Sequence, residues 1–223
     1  MWDGPPDSLA GREGRVVHGG APVVMVGTDS AEVERRLRAG ELACPCGGGR
    51  LARWGFARER VVRGVGGVRP RRGRCESCRA RHVLLAVSCL VRRADGVEVI
   101  GAALTAKASG MGHRWIAARL GRPASTVRGW LRGLAGNAAR VRAVLAGLLV
   151  ELDPVVGPVP VVASVVAQVV DAVGAVAAAA RRRLGVVGAV SAWELASAVT
   201  GGRLVSSAGL GQLRNTSWLW AGG

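Results

Sequence analysis

A chain of 223 residues, 49% of them hydrophobic, has room for one or two small domains with a real core, which excludes wholesale disorder. The formal net charge is +16, and residues 50–132 alone carry +15 of it, with 19 bases against Glu59, Glu76, Asp95 and Glu98. Every base but Lys107 is Arg, as expected of a GC-rich coding sequence rich in Ala, Gly and Val; that bias explains Arg over Lys, but not the complete absence of Asp and Glu between Val99 and Val150. A segment of this kind seeks a polyanion, of which nucleic acid is the commonest.

Residues 1–20, rich in Gly and Pro, are expected to be disordered, and the start Met1-Trp2-Asp3-Gly4 shows no basic-then-apolar signal peptide. A cytoplasmic, nucleoid-associated location is therefore expected, in which five cysteines point to metal ligands and a buried thiol rather than disulfides. Residues 21–41 read as a lead-in, with a short strand at Val23-Val24-Met25-Val26. A helix then starts at Asp29 with Glu32 three residues on, and stops at Gly40.

Residues 42–94 alternate short β-like runs with Gly turns. In Cys44-Pro45-Cys46-Gly47 and Cys75-Glu76-Ser77-Cys78, the inner cysteines Cys46 and Cys75 are separated by 28 residues. Between them, Arg60-Val61-Val62-Arg63 and Val68-Arg69-Pro70-Arg71-Arg72 flank the turn signal Gly64-Val65-Gly66-Gly67. Two cysteine knuckles joined by a β-hairpin are the pattern of a zinc ribbon. Each knuckle directs two thiolates at one tetrahedral Zn2+, and four protein ligands make the ion structural rather than catalytic. The expected ligands are Cys44, Cys46, Cys75 and Cys78. The first knuckle is Cys-x-Cys where Cys-x-x-Cys is usual. Either the loop tolerates a deletion, or one of Cys44 and Cys46 binds and His82 completes the site. Cys89, inside Leu84-Leu85-Ala86-Val87-Ser88-Cys89-Leu90, reads as a core residue.

Residues 95–152 are helical in pattern. Val97, Ile100, Leu104 and Ala108 form the stripe of a first helix. In the run from Gly112 to Leu131, Ile116, Ala117 and Leu120 share one face, Gly121 suits a tight turn, and Pro123 suits the start of a further helix. At about 100° per residue, Val127, Trp130, Leu131 and Leu134 of that helix fall together, and Ser125, Arg128, Gly129 and Arg132 fall opposite. Small and Arg residues on an exposed helix face suit the major groove, where Arg bonds guanine and Ser or Thr bonds phosphate or base. Three helices of this kind predict a helix-turn-helix domain. Its expected DNA contacts are Arg114, Ser125, Thr126, Arg128 and Arg132, while Arg60, Arg63, Arg69, Arg71 and Arg72 on the ribbon hairpin hold phosphates.

Residues from about 42 to 135 resemble the zinc-ribbon plus helix-turn-helix region near the N-terminus of insertion-sequence transposases, and most closely an uncharacterised zinc-ribbon/helix-turn-helix protein family related to that region. The resemblance is carried by Cys44-Pro45-Cys46-Gly47-Gly48, Cys75 with Cys78, His82-Val83-Leu84-Leu85 and the run from Gly112 to Leu131. It implies binding at element ends or promoters.

No enzyme is expected. A transposase nuclease needs three carboxylates gathered on two metal ions, and beyond Gly133 the acids are Glu151, Asp153, Asp171 and Glu194, on helix and linker. No Ser/His/Asp set, Walker loop or GxGxxG fingerprint is present, and no small-molecule substrate is expected.

Residues 153–160, with three prolines, read as a linker, residues 161–200 as amphipathic helices, and residues 201–223 as a flexible tail ending in Trp218-Leu219-Trp220. The Val stripe from Val161 to Val176 suits packing on the helical domain or, as a homodimer, on a second copy through residues 161–184. A membrane span is not expected, because Asp171 near its middle costs about 3 kcal/mol. The fold class is α+β, mainly α: a small β zinc ribbon, a three-helix helix-turn-helix domain and C-terminal helices. The expected function is sequence-specific double-stranded DNA binding, transposase-related or regulator-like. The alternative is an adaptor whose basic ribbon docks an acidic protein.

Overall fold

The computed structural model describes residues 22–155, 157, 164–184 and 190–206. The expectations for residues 1–20, for the linker and helix start over 158–163, and for the end of the tail including Trp218 and Trp220 lie outside them.

The fold is mixed α+β and mainly α: a small sheet followed by helices. The sheet half contains β1 (Val23–Val26), α1 (Ser30–Arg38), β2 (Leu51–Phe56), β3 (Arg60–Val62), β4 (Gly66–Val68), β5 (Arg71–Cys75) and β6 (Arg81–Ala86). Four strands pair in the order β1-β6-β5-β2, with β1 parallel to β6 and the other pairs antiparallel, while β3 and β4 form a separate hairpin. The segment expected as a lead-in is thus an integral part of the sheet half. Strand β1 needs β6 to satisfy its backbone, and α1 covers one face of the sheet. Asp29 caps α1, its Oδ1 accepting from the backbone N–H of Ala31 at 2.8 Å and of Glu32 at 3.3 Å.

Alternation along the strands splits the sheet into two faces. Toward α1 point Val24, Val26, Leu51, Cys75 and Leu84, packed with Val33, Leu37, Leu42 and Cys44. On the reverse, Met25, Leu85 and Val87 pack with Val62 of β3, Cys89 and Ala198. Cys89 is fully buried, as expected of a core thiol, and burial pushes that thiol up.

The helical half contains α2 (Val97–Ala108), α3 (His113–Leu120), α4 (Ala124–Ala135), α5 (Ala138–Leu152), α6 (Val165–Leu184) and α7 (Ala192–Val199). A single apolar core runs through all six, from Val97, Ile100 and Leu104 through Trp130 and Leu145 to Val169, Val176 and Leu195. The core of α2, α3 and α4 is not separate from the rest: α5, α6 and α7 contribute to the same cluster. Of the two surfaces the sequence offered the Val stripe of α6, the helical domain or a second copy, the described part packs on the first, buried against α5 and α2 of its own chain. Residues 201–206 are no free tail: Leu204 and Val205 are fully buried, Arg93 donates to the Val205 carbonyl, and the Val91 N–H donates to the Gly202 carbonyl at 2.8 Å. Among the described residues, no single helix is long and apolar enough to cross a membrane.

Candidate metal centre and basic helix pair

The first knuckle lies between α1 and β2. The Cys44 N–H donates to the Gly49 carbonyl at 2.8 Å and the Gly47 N–H donates to the Cys44 carbonyl at 3.0 Å, folding Cys44–Gly49 into a tight loop. The second knuckle leaves the end of β5, where the Cys75 N–H meets the Ala80 carbonyl at 2.9 Å. Two links join the knuckles: Ser77 Oγ donates to the Gly48 carbonyl at 2.6 Å, and the Glu76 N–H donates to the Arg50 carbonyl at 3.1 Å.

This backbone brings Cys44, Cys46, Cys75 and Cys78 together, with all four Sγ atoms within 4.8 Å of one another, so that they could hold a metal ion. Cys44 Sγ lies 3.8 Å from Cys78 Sγ, and Cys46 Sγ lies 3.7 Å from Cys75 Sγ. A tetrahedral tetrathiolate with metal–sulfur bonds of about 2.3 Å has edges of about 3.8 Å, so these spacings fit one ion. They are far too long for disulfides. Cys44 and Cys75 are buried; Cys46 and Cys78 are exposed. The N–H of Cys78, 3.4 Å from Cys75 Sγ, pulls the Cys75 thiol down to about 6, whereas burial pushes the Cys44 thiol up. A coordinating cation deprotonates such thiols outright.

Cys44 and Cys46 both join the cluster, and His82 stands behind it, its Nε2 3.3 Å from Cys44 Sγ. Buried and with Nδ1 unpartnered, His82 is held toward its neutral form by desolvation. In the tautomer protonated at Nε2 it donates to the Cys44 sulfur and so orients that side chain. The sequence offered His82 only as a substitute ligand; its place beside Cys44 comes from β6 lying two strands from the first knuckle's exit.

In the helical half, α3 and α4 are joined by Gly121-Arg122-Pro123. Gly121 adopts the left-handed conformation (φ 61°, ψ 38°) and closes α3, its N–H directed to the Ala117 and Ala118 carbonyls. On α4, Val127, Trp130 and Leu134 are buried, Leu131 and Thr126 are half-buried, and Ser125, Arg128 and Arg132 are exposed. Arg114 on α3 is exposed as well. Arg122 turns back from the connecting turn to Asp95, which is 3% exposed, with Nε at 2.9 Å and Nη2 at 3.0 Å; Arg63 approaches the same carboxylate at 3.6 Å. The turn is thereby fastened to the junction between the sheet and α2.

The hairpin arginines do not form one set. Arg71 is committed to Glu34 of α1 through contacts of 2.7 and 2.9 Å, holding that carboxyl below its ordinary range, and its guanidinium lies over Phe56. Arg69 also stacks on Phe56, at 4.8 Å. Arg60 is half-exposed, and Arg63 and Arg72 are exposed. Against known proteins, the chain matches no family model, no curated protein and no solved structure.

Proposed function

We propose that the chain binds double-stranded DNA, with α3 and α4 acting as a helix-turn-helix and a structural zinc ion in the four-cysteine cluster holding the sheet half as a basic second surface. The observation that carries this reading is the split of α4: Ser125, Arg128 and Arg132 face solvent while Val127, Trp130 and Leu134 are buried. On that face Arg128 and Arg132 reach guanine edges, and Ser125 and Thr126 reach base or phosphate near the helix start. Arg114, Arg60, Arg63, Arg69 and Arg72 meet phosphates; Arg71, spoken for by Glu34, does not. Four thiolates favour zinc over harder cations, and a closed site gives it a structural role. The chain would then bind without cleaving, as a regulator or a mobile-element protein lacking a nuclease.

The test is duplex selection from a random library, followed by Arg128→Ala. The substitution is expected to cost about 1–3 kcal/mol on the selected site and little on random duplex. Equal weakening on both would make Arg128 a phosphate contact and shift the reading register. A wild-type chain that binds no duplex near physiological salt would favour the acidic-partner adaptor.

A further inference from the structure

The reverse face of the sheet is covered only in part. Over β1 and β6 it packs against Val62, Cys89 and Ala198, in a buried cluster that takes in no residue of β5 or β2. There Trp54 stands 41% exposed, its indole met by the guanidinium of Arg74 on the neighbouring strand at 4.7 Å and of Arg81 one strand further at 5.0 Å. Arg74 and Arg81 are register partners and so share this face.

Charge separates this face from the other. Toward α1, Arg53 and Arg71 both pair with Glu34, which also meets Arg38. On the reverse, neither Arg74 nor Arg81 pairs with a carboxylate among the described residues, and the buried Nε of Arg74 lacks a hydrogen-bond partner. An exposed indole costs hydrophobic free energy, and two unpaired arginines beside it add like-charge repulsion. A ligand with a flat ring and an anion would relieve both.

We infer that this face binds an unpaired stretch of nucleic acid, one base stacking on Trp54 and the adjoining phosphates lying against Arg74 and Arg81. Stacking on an aromatic ring beside a basic track is how single strands are held without sequence choice. An acidic peptide would satisfy the arginines but has no use for the indole. The inference stands on residues separate from α4 and does not rest on duplex recognition.

The test uses the zinc-loaded full chain and fluorescence anisotropy with labelled oligo-dT and oligo-rU of about 12 nucleotides, alongside a random duplex. Wild type should bind a single strand; the DNA and RNA arms show whether the sugar matters. Trp54→Ala should weaken single-strand binding about 5- to 150-fold, Trp54→Phe should recover most of it, and duplex affinity should not change. Zinc content and unfolding midpoint of both variants report that the fold is kept. No binding of either oligomer by wild type, an unaltered affinity in Trp54→Ala, or a parallel loss on duplex overturns the inference. Single-strand binding by a chain that ignores duplex would instead leave it standing and sink the helix-turn-helix reading.

Discussion

Gly49 gives the sharpest test of the cysteine cluster. A Cβ at this position would lie 2.5 Å from Ser77 Oγ, 2.8 Å from Cys75 Sγ and 2.9 Å from Ser77 Cβ, each inside any real contact distance. Gly48, its neighbour on the same loop, has nothing within 4 Å. In Gly49→Ala the Ser77 residue must draw back, Cβ as well as hydroxyl, giving up its 2.6 Å bond to the Gly48 carbonyl, a loss of about 1 kcal/mol. The Cys75 sulfur cannot follow without opening the 3.7 Å edge it shares with Cys46, and overpacking of this kind costs about 1–3 kcal/mol. Together the two terms amount to about 2–4 kcal/mol, or about 30- to 1000-fold in zinc affinity. Competition with a chromophoric chelator measures that shift directly, and Gly48→Ala should stay within a few-fold of wild type. If Gly49→Ala and Gly48→Ala hold zinc equally well, the knuckles do not meet as described and the tetrathiolate reading fails.

Two further outcomes probe how the halves are joined. Asp95→Ala leaves the Arg122 guanidinium, 13% exposed, without its carboxylate; a loss of about 3–5 kcal/mol is expected in urea unfolding. Adding Arg122→Ala should recover part of that loss, because the pair and not either charge alone suits the site, whereas fully additive losses would contradict the pairing. Gly133→Ala places a Cβ 2.3 Å from the Val205 carbonyl oxygen and should detach Arg203–Ser206 from the helical core, lowering the unfolding midpoint and raising hydrogen exchange at Val91, whose N–H is bonded to Gly202. Unchanged exchange at Val91 would show that this segment docks independently of Gly133.

Local signals were legible where one residue type decides the outcome. Asp29 opening α1, Gly121 closing α3 and the burial order of α4 all follow from capping and period alone. So did the four thiols, because paired cysteines in a thinly cored segment have few other uses. What could not be read was which apolar stripe finishes which core. The Val stripe of α6 is compatible by pattern with a second copy, a membrane or its own chain, and only the long-range core it shares with α2 and α5 decides for the last. The capping box in which Ser191 and Glu194 bond reciprocally at the start of α7 was legible in principle, but nothing local announces that Leu204 and Val205 beyond it fill the core.

The arginines show the same limit in electrostatic form. Along the chain Arg69, Arg71, Arg72 and Arg74 look equivalent, and summing them gives a uniformly basic hairpin. In the fold, strand alternation sends Arg71 and Arg74 to opposite faces, and the two meet different partners. Arg71 meets Glu34, a residue 37 positions earlier that belongs to α1 and that no local pattern pairs with it. Arg74 meets Trp54 instead. A bulge between Arg53 and Phe56 has a further effect: Trp54 lies with Arg74 while Phe56 lies with Arg71, although strict alternation would put both aromatics on one face. The scarcity of Phe and Tyr argues in composition against a stacking surface. One exposed tryptophan, on the face where neither Arg74 nor Arg81 pairs with a carboxylate among the described residues, is enough to make one.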